Sequence, residues 1–324
     1  MLINSFYKFI ANRLSPAGAN ARLTILIYHR VLLEQDLLFH HEVTCASFNE
    51  QMLRLKAVFN VLSLFDAVER LKAGTLPARA ACITFDDGYA DNATNAALIL
   101  QRHGLTATFF IATDYLNGGR MFNDTVIESI RRCPLARLDL TCLGLGKHDL
   151  STPAKKVGAA SQILSQIKYF SFEAREEISA NIAKLAVSGK LPDNLMMTTD
   201  QLKGLREAGM EIGGHTARHP ILAKLGVDEV KQEILAGKQF LEDALGVPIR
   251  LFAYPNGKPG IDFLPEQANI VREVGFAAAV TTQSGAASQA GDPYQLPRFT
   301  PWRPNVAYFI PELLINLRNS RRAI

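Results

Sequence analysis

Short apolar runs alternate with segments of helical periodicity along most of the chain. The apolar runs have the length of buried strands, and polar or glycine-containing segments end them. Strands are predicted at residues 23–28, 81–85, 106–112, 210–212, 249–254 and 276–282, and helices at residues 47–59, 93–103, 198–208, 228–245 and 268–274. Because strand and helix alternate in repeated units, the pattern predicts an α/β fold with a parallel sheet, closed or nearly closed into a barrel.

The region from about residue 117 to residue 193 lacks the strand pattern. Its helical stretches are at residues 126–132, 161–169 and 174–187, separated by glycine- and proline-containing segments. We interpret this region, up to about residue 197, as a helical insertion, with an enlarged outer helix layer as the alternative. The barrel domain that contains it is expected to span residues 21–310.

Two short segments flank the predicted domain. Residues 1–20 are expected to form an N-terminal helical segment, and residues 311–324 a basic C-terminal tail. The apolar residues that share one face of the N-terminal helix are Phe6, Phe9, Ile10 and Leu14. Packing of this face against the domain is the favoured interpretation, and peripheral association with a membrane is the alternative.

The composition is ordinary for a soluble globular protein, with 48% hydrophobic and 20% charged residues. The 35 Lys and Arg residues barely exceed the 31 Asp and Glu residues, so we expect no nucleic-acid partner. The four cysteines form no C-x-x-C pair, and the N-terminus shows no signal peptide. These features favour a cytoplasmic protein, with the inner face of the membrane as the alternative location.

Two adjacent carboxylates mark the end of the predicted strand at residues 81–85. Asp86 and Asp87 follow this strand, and Gly88 allows the chain to turn directly after them. Ligand sites of α/β proteins gather at the carboxyl ends of strands, where one carboxylate can bind a cation and the other can move protons. A hairpin is the alternative for this stretch alone, because Asp-Gly is also a strong turn signal.

A histidine pair follows the predicted strand at residues 210–212. His215 and His219 lie four residues apart, a spacing at which both imidazoles can reach one cation. Such a pair alone indicates polar packing more often than a metal site. Together with a carboxylate at another strand end, it predicts a three-ligand metal centre of the hydrolytic type, with open positions for water.

These two segments carry a family resemblance. Residues 84–89 and 215–220 resemble, in this order, the first two motifs of the polysaccharide deacetylases (carbohydrate esterase family 4), and residues 252–257 resemble a variant of the third. The resemblance extends over about residues 24–299. It implies a distorted (β/α)7-type barrel and metal-dependent removal of acetyl groups from amino sugars.

The resemblance also implies a metal site and its ligands. Asp87, His215 and His219 would bind a divalent cation, typically zinc, with nickel, cobalt, iron or manganese as alternatives. Asp86 would act as the general base on the attacking water, and Thr216 would brace the histidine loop.

Two further residues are candidates for contact with the substrate. On the resemblance, the backbone N–H of Asn256 would help to stabilise the tetrahedral oxyanion. Tyr89 is a candidate for stacking on a sugar ring, with a place in the core or in a groove wall as the alternative.

The chain departs from the family pattern at two places. Ala253 stands where the third motif usually carries an arginine that tunes the base, and Arg298 is a candidate for supplying that charge. No histidine follows His219, so the general acid of the usual C-terminal motif is missing from its expected place. Residues 27–30 resemble the strand end of a permuted branch of the family, in which His29 would protonate the leaving amine. A histidine that only caps a buried strand is the alternative.

The resemblance therefore predicts a hydrolase that removes N-acetyl groups from N-acetylhexosamine units of a poly- or oligosaccharide, such as an exopolysaccharide or a cell-envelope glycan. An O-acetyl esterase or another amidohydrolase on the same scaffold is one alternative. A non-catalytic glycan-binding descendant is another, because of the two departures. The expected partner is an acetylated saccharide, and the oligomeric state stays open.

Overall fold

A computed structural model describes residues 2–39, 42–187, 189–301, 303 and 305–318. Its contacts divide the chain into two compact units. The first unit contains Met1–Glu34, His41–Leu116 and Met197–Ile324, and the second contains Gln35–His40 and Asn117–Met196. No helix among the described residues combines the length and the apolar character that crossing a membrane requires.

Strands and helices follow one another along the chain, as the apolar pattern predicts. The helices are α1 (Leu2–Leu14), α2 (Cys45–Val58), α3 (Leu64–Lys72), α4 (Ala97–His103), α5 (Phe122–Arg132), α6 (Pro153–Ile167), α7 (Phe172–Ala186), α8 (Thr199–Glu207), α9 (Val227–Leu245), α10 (Pro265–Glu273) and α11 (Phe309–Arg318). The strands are β1 (Arg22–Tyr28), β2 (Val31–Leu32), β3 (Val43–Thr44), β4 (Asn60–Val61), β5 (Ala80–Phe85), β6 (Thr108–Ile111), β7 (Arg137–Asp139), β8 (Lys147–Asp149), β9 (Glu211–Gly214), β10 (Leu251–Ala253), β11 (Ala278–Val280) and β12 (Ala287–Ser288).

The main sheet belongs to the first unit and is parallel over six neighbouring strands, in the order β11-β10-β9-β6-β5-β1. β4 adds to β5 in parallel, and β12 pairs antiparallel with the start of β1. Residues 296–299 bridge β11 and β1, because Leu296 pairs with Val280 and Phe299 pairs with Leu26. The predicted α/β class and the distorted (β/α)7-type barrel are confirmed.

Inward-facing side chains of these strands fill the barrel. The buried residues of this interior cluster include Leu23, Ile25, Ala80, Cys82, Leu251 and Val280. α3, which the apolar pattern does not reveal, packs against the same cluster. Because successive residues of a strand point to opposite faces, Thr84 and Asp86 continue the inward row that Cys82 belongs to. The interior row of β5 therefore leads from an apolar core to a carboxylate.

The second unit has its own hydrophobic core, which α5, α6, α7 and a short hairpin form. β7 and β8 make this hairpin and pair antiparallel, with Leu138 opposite His148. We expected no strand in this region, and that expectation is wrong. Each strand has three residues and only one buried side chain, which is too short for an alternating apolar pattern to become visible.

The C-terminal segment also differs from the prediction. We expected residues 311–318 to belong to a basic tail, but they are part of α11. Ile310, Leu313 and Leu317 are buried in the core of the first unit, because they recur at the three- and four-residue spacing of one helix face. The rest of the predicted tail, residues 319–324, lies outside the described residues.

The predicted apolar face of α1 is divided between two sides of the helix. Ile10 and Leu14 pack against the core of the first unit, together with Tyr7. Phe6 and Phe9, which we expected on the same packed face, are exposed instead. Each residue turns a helix by about 100°, so Phe9 lies well away from the packed row of Tyr7, Ile10 and Leu14.

Candidate active site

The carboxyl end of β5 presents the two adjacent carboxylates. The N–H of Asp86 donates to the carbonyl of Tyr28 at the end of β1, at 3.0 Å. Asp87 and Gly88 then have φ angles of 77° and 95°, so the chain turns directly after the strand. β5 pairs in parallel with both β1 and β6, which excludes the hairpin alternative.

Asp87, His215 and His219 converge on one point beside this strand end. The Asp87 Oδ1 atom lies 3.4 Å from the Nε2 atoms of both histidines. One potential ligand atom from each residue lies within 4.8 Å of the other two. The Nδ1 atom of His215 donates to the carbonyl of Ala253 at 2.7 Å, so Nε2 faces Asp87; Nε2 shares a proton with the carboxylate in the charged imidazole and offers a lone pair to a cation in the neutral one. Two nitrogen donors and one carboxylate oxygen fit a divalent cation of the zinc type.

The charge state of Asp87 suits a metal ligand. Burial raises the pKa of its carboxyl group, but the hydrogen bond with His215 and the charges of His219 and His29 outweigh burial. The pKa is therefore held well below its ordinary value, and the carboxylate stays ionised at neutral pH. The ionised form is the one that binds a cation.

Thr216 fixes the loop between the two histidines. Its hydroxyl donates to the carbonyl of His215 at 2.5 Å and accepts the N–H of His219 at 3.0 Å. Thr216 and His219 both have positive φ angles, 63° and 53°. The hydroxyl thus joins the backbones of His215 and His219, and its role as a brace for a metal site stays a prediction.

Helix α9 supports the same loop from outside. The carboxylate of Glu233 accepts the N–H of Arg218 at 2.9 Å, and its carbonyl accepts the N–H of Ala217 at 3.1 Å. Gly237 lies so close to the loop that an added Cβ would be 2.7 Å from the carbonyl carbon and oxygen of Thr216. The histidine loop is therefore held by the polar contacts of Glu233 and by the close approach of Gly237.

Arg298 forms a buried ion pair with Asp86. Its two terminal nitrogens donate to the two carboxylate oxygens of Asp86 at 2.7 and 2.6 Å. Its Nε donates to the carbonyl of Thr281 at 2.8 Å, and one terminal nitrogen also donates to the hydroxyl of Thr84 at 3.1 Å. Burial raises the pKa of Asp86, but the charge and hydrogen bonds of Arg298 outweigh it and lower the pKa. Asp86 is therefore a carboxylate at neutral pH.

His29 follows β1 at the strand end next to the carboxylates. Its predecessor Tyr28 pairs with Phe85, so His29 and Asp86 occupy neighbouring strand ends. Burial lowers the pKa of His29, but the negative charges of Asp87, Glu42 and Asp86 raise it by more. The net pKa lies above its ordinary value, which favours the imidazolium form. Its role as general acid stays a prediction.

Asn256, the residue before the last in the third motif-like segment, has a left-handed conformation with φ of 59°. Its carbonyl accepts the hydroxyl of Thr282 at 2.8 Å, which fixes the orientation of the peptide. Among the described residues, no acceptor is found for the backbone N–H of Asn256. This N–H is therefore available to a ligand.

Tyr89 does not fit the expected role in sugar stacking. Its side chain is buried, and the guanidinium of Arg30 lies 4.8 Å from the centre of its ring. Arg30 in turn pairs with Asp91 at 2.8 Å. Because the ring is buried and a cation covers one of its faces, Tyr89 fits a place in the wall of the site. This is the alternative to sugar stacking that the sequence left open.

Two acidic residues that act on this site are not predicted from the sequence. Glu233 carries a usable signal, because it lies three residues after Val230 and thus beside the apolar face of α9. A buried charge on that face indicates a polar partner in the core. Glu42, whose charge raises the pKa of His29, lies in a short connection just before β3 and carries no local signal.

Comparison with known proteins agrees with this geometry. The sequence model of the family described as "Polysaccharide deacetylase" matches residues 73–135 and 165–279. No curated protein matches the chain significantly.

Several solved structures share the fold. The Streptococcus pyogenes deacetylase PplD in complex with acetate is 19% identical, with a TM-score of 0.61 over 92% of this chain and 98% of that one. IcaB from Ammonifex degensii is 17% identical, with a TM-score of 0.60 over 94% and 98%. The BpsB deacetylase domain from Bordetella bronchiseptica is 17% identical, with a TM-score of 0.55 over 86% and 95%. Because the family model matches more than half of this chain, the chain belongs to the polysaccharide deacetylase family.

Proposed function

We propose that this chain is a metal-dependent N-deacetylase that acts on N-acetylhexosamine units of a poly- or oligosaccharide. Membership of the family supports a hydrolase that removes acetyl groups. One observation supports the proposal of metal-dependent hydrolysis: three residues that could hold a cation lie beside a carboxylate that accepts two hydrogen bonds from Arg298. A cation site and an adjacent ionised base are the two parts that hydrolysis by an activated water needs.

Asp87, His215 and His219 are the proposed cation ligands. Two imidazoles and one carboxylate are a donor set that catalytic zinc takes, with the remaining position open. When bound, a divalent cation makes water more acidic and polarises a carbonyl oxygen. Nickel, cobalt, iron and manganese also accept nitrogen and carboxylate donors, so elemental analysis of the purified protein decides among them.

Asp86 is the proposed general base. Its carboxylate has about four acceptor positions, and two of them accept hydrogen bonds from Arg298. The remaining positions can accept a proton from the attacking water. Arg298 keeps the group ionised before this transfer, and a neutral carboxyl group then interacts less strongly with Arg298. The weaker pairing favours release of the proton in a later step.

His29 is the proposed general acid, and it supports amide rather than ester cleavage. Hydrolysis of an amide requires a proton on the departing nitrogen, whereas an alcohol leaves more readily. The charges of Asp87, Glu42 and Asp86 raise the pKa of His29 above its ordinary value, which favours the imidazolium form that an acid needs. The backbone N–H of Asn256 would donate to the oxyanion, and the products are acetate and a free amine.

The direct test is incubation of the purified, zinc-loaded chain with N-acetylglucosamine oligosaccharides. Acetate and free amine should appear in equal amounts, and a chelator should abolish both. Asp86→Asn should retain the metal and lose about 100-fold or more of the turnover, because the amide cannot accept the proton. Asp66→Asn, at an exposed position of α3, is the matched control and should keep full activity.

Other outcomes would identify another function. Turnover of aryl acetates without turnover of amides would indicate an O-acetyl esterase. Stoichiometric metal without turnover of either substrate would indicate a glycan-binding protein. High residual activity of Asp86→Asn would contradict the base assignment even if the deacetylase activity is found.

A further inference from the structure

The helix α1 leaves a row of large apolar side chains in solvent. Ile3, Phe6 and Phe9 are 61%, 60% and 59% exposed. They follow one another at steps of three residues, so they spread over about 120° of the helix surface, from Ile3 to Phe9. At about 100° per residue, Phe9 lies roughly opposite Tyr7 and Leu14, which pack against the core of the first unit, whereas Ile3 lies on the packed side, one turn before Tyr7. The exposed row is therefore not needed to attach α1 to the barrel.

Helix α11 lies beside α1. Ile315 of α11 is exposed, and so is Tyr308, which directly precedes the helix and lies under the guanidinium of Arg303. Both helices end near the start of β1. Ser15, which follows α1, exchanges hydrogen bonds with the backbone of Arg22 at 2.9 Å, and the Arg22 guanidinium donates to the carbonyl of Leu317.

The charge of the two terminal segments is entirely positive. Residues 1–21 and 313–324 contain no acidic residue. Their basic residues are Lys8, Arg13, Arg318, Arg321 and Arg322. These five charges exceed the net charge of +4 of the whole chain, so the rest of the sequence is close to neutral. The net positive charge thus lies in the α1 segment and after Glu312, which is in the first turn of α11 and pairs with Arg303.

We propose that α1 docks this chain on an anionic lipid surface. Phe6 and Phe9, with Ile3 at the end of the helix, would enter the boundary between headgroups and acyl chains, while Lys8, Arg13 and Arg318 pair with lipid phosphates. Apolar residues on one side of a helix with nearby lysine and arginine are the features by which helices bind in the plane of a membrane. This proposal is independent of the deacetylase activity.

The same observations argue against a second copy of the chain as the partner. Two identical faces would bring Lys8 and Arg13 of each copy together, and like charges across an interface oppose association. Three exposed side chains on one short helix also offer little area compared with the roughly 1,000 Å² that a stable protein interface buries. A bilayer accepts single apolar side chains and supplies negative charge.

Flotation of the full chain with vesicles tests the proposal. The protein should float with vesicles of phosphatidylglycerol and phosphatidylcholine, and much less with phosphatidylcholine alone. Binding should fall as salt concentration rises, because salt screens the attraction between exposed charges. Equal binding to both vesicle types, or no binding to either, would overturn the proposal.

Variants on α1 make the test specific. Phe6→Ser and Phe9→Ser should each weaken vesicle binding by about tenfold or more, which is the effect of burying one phenylalanine side chain. Lys8→Glu with Arg13→Glu should remove the preference for anionic vesicles. Leu98→Ser on α4 is the matched control, because Leu98 is 54% exposed, and its binding should be unchanged.

Two further measurements separate this surface from folding and from the catalytic site. Each α1 variant should keep the unfolding midpoint, the metal content and the turnover of a soluble oligosaccharide. Sedimentation analysis shows whether the chain self-associates. A dimer that Phe6→Ser dissociates would assign the apolar row to a protein interface and would contradict the lipid proposal.

Discussion

Replacing Arg298 with methionine removes the cation from a buried ion pair while keeping a long apolar side chain. Arg298 is 1% exposed and Asp86 is 3% exposed, and hydrogen bonds of 2.7 and 2.6 Å join them. The variant leaves the Asp86 carboxylate buried without this partner. Removal of one member of a buried ion pair lowers the free energy of unfolding by about 3–5 kcal/mol. We expect a loss of this size at neutral pH.

The pH dependence of the loss separates charge from packing. In the native protein the pKa of Asp86 lies below its ordinary value. The ion pair therefore stabilises the fold fully at a pH above the ordinary pKa, and this stabilisation is lost as the pH falls through the native pKa. Without Arg298, burial raises the folded-state pKa, so ionised Asp86 opposes folding at neutral pH and protonation relieves this at lower pH. The difference between variant and native protein should therefore shrink as the pH falls.

Urea unfolding of the chelator-treated protein at about pH 7.5 and about pH 5 measures this difference. A double variant, Arg298→Met with Asp86→Asn, should be more stable than Arg298→Met alone at neutral pH, because the neutral amide leaves no buried charge unpaired. The acid limb of kcat/KM in Arg298→Met should also move to higher pH by about 1–3 pH units. An equal loss of stability at both pH values, or a double variant whose loss is the sum of the single losses, would refute the electrostatic explanation.

Three other predictions concern the metal and its loop. His219→Ala should lower the zinc content measured by elemental analysis, because one of three donors is lost, whereas His103→Ala, at a histidine bonded to Asn49, should keep it. Added zinc should raise the free energy of unfolding of the native chain, by about 2.7 kcal/mol when zinc is at 100 times its dissociation constant, and the unfolding midpoint should rise accordingly. The same addition should stabilise His219→Ala much less. Gly237→Ala should lower the free energy of unfolding by about 1–3 kcal/mol and weaken zinc binding, because the added Cβ meets the Thr216 carbonyl. Gly204→Ala is the control, because its Cβ would meet nothing within 4 Å. Urea unfolding should show this variant to be neutral or slightly stabilised.

The strand-end residues can be predicted from the sequence because each pair lies within one short segment. The apolar run of β5 shows where the strand ends, and Asp86 and Asp87 follow at once. The four-residue spacing of His215 and His219 shows that both can reach one cation. In each case the chemistry depends on neighbours in sequence, so the local pattern contains the information.

The contact between Arg298 and Asp86 is of the opposite kind, because these residues are 212 positions apart. No local pattern specifies the partner of Arg298, and only the arginine missing at Ala253 suggests that a cation must come from elsewhere. The placement of Arg298 depends on the bridging segment at residues 296–299, which touches β11 and β1 through isolated pairs. Such short pairings leave no strand pattern, and the same reason hides the β7–β8 hairpin.

The backbone of the site explains how one dipeptide could supply the two proposed functions. In a regular strand, the neighbouring residues Asp86 and Asp87 would point to opposite faces of the sheet. The φ of 77° at Asp87 breaks this alternation, so its side chain turns toward His215 and His219 while Asp86 keeps its inward position against Arg298. The left-handed conformation is thus the physical reason that the proposed cation ligand and the proposed proton acceptor can be adjacent.

Left-handed backbone recurs through the rest of the site, at Thr216, His219 and Asn256. Each such non-glycine residue costs on the order of 1–3 kcal/mol, and a β-branched threonine is among the least tolerant. The conformations persist because the surroundings fix them: the Thr216 hydroxyl bonds the backbones of both ligand histidines, and Thr282 holds the Asn256 carbonyl. Relaxation of this backbone would separate the donor atoms, so part of the stability of the barrel maintains the geometry of the cation site.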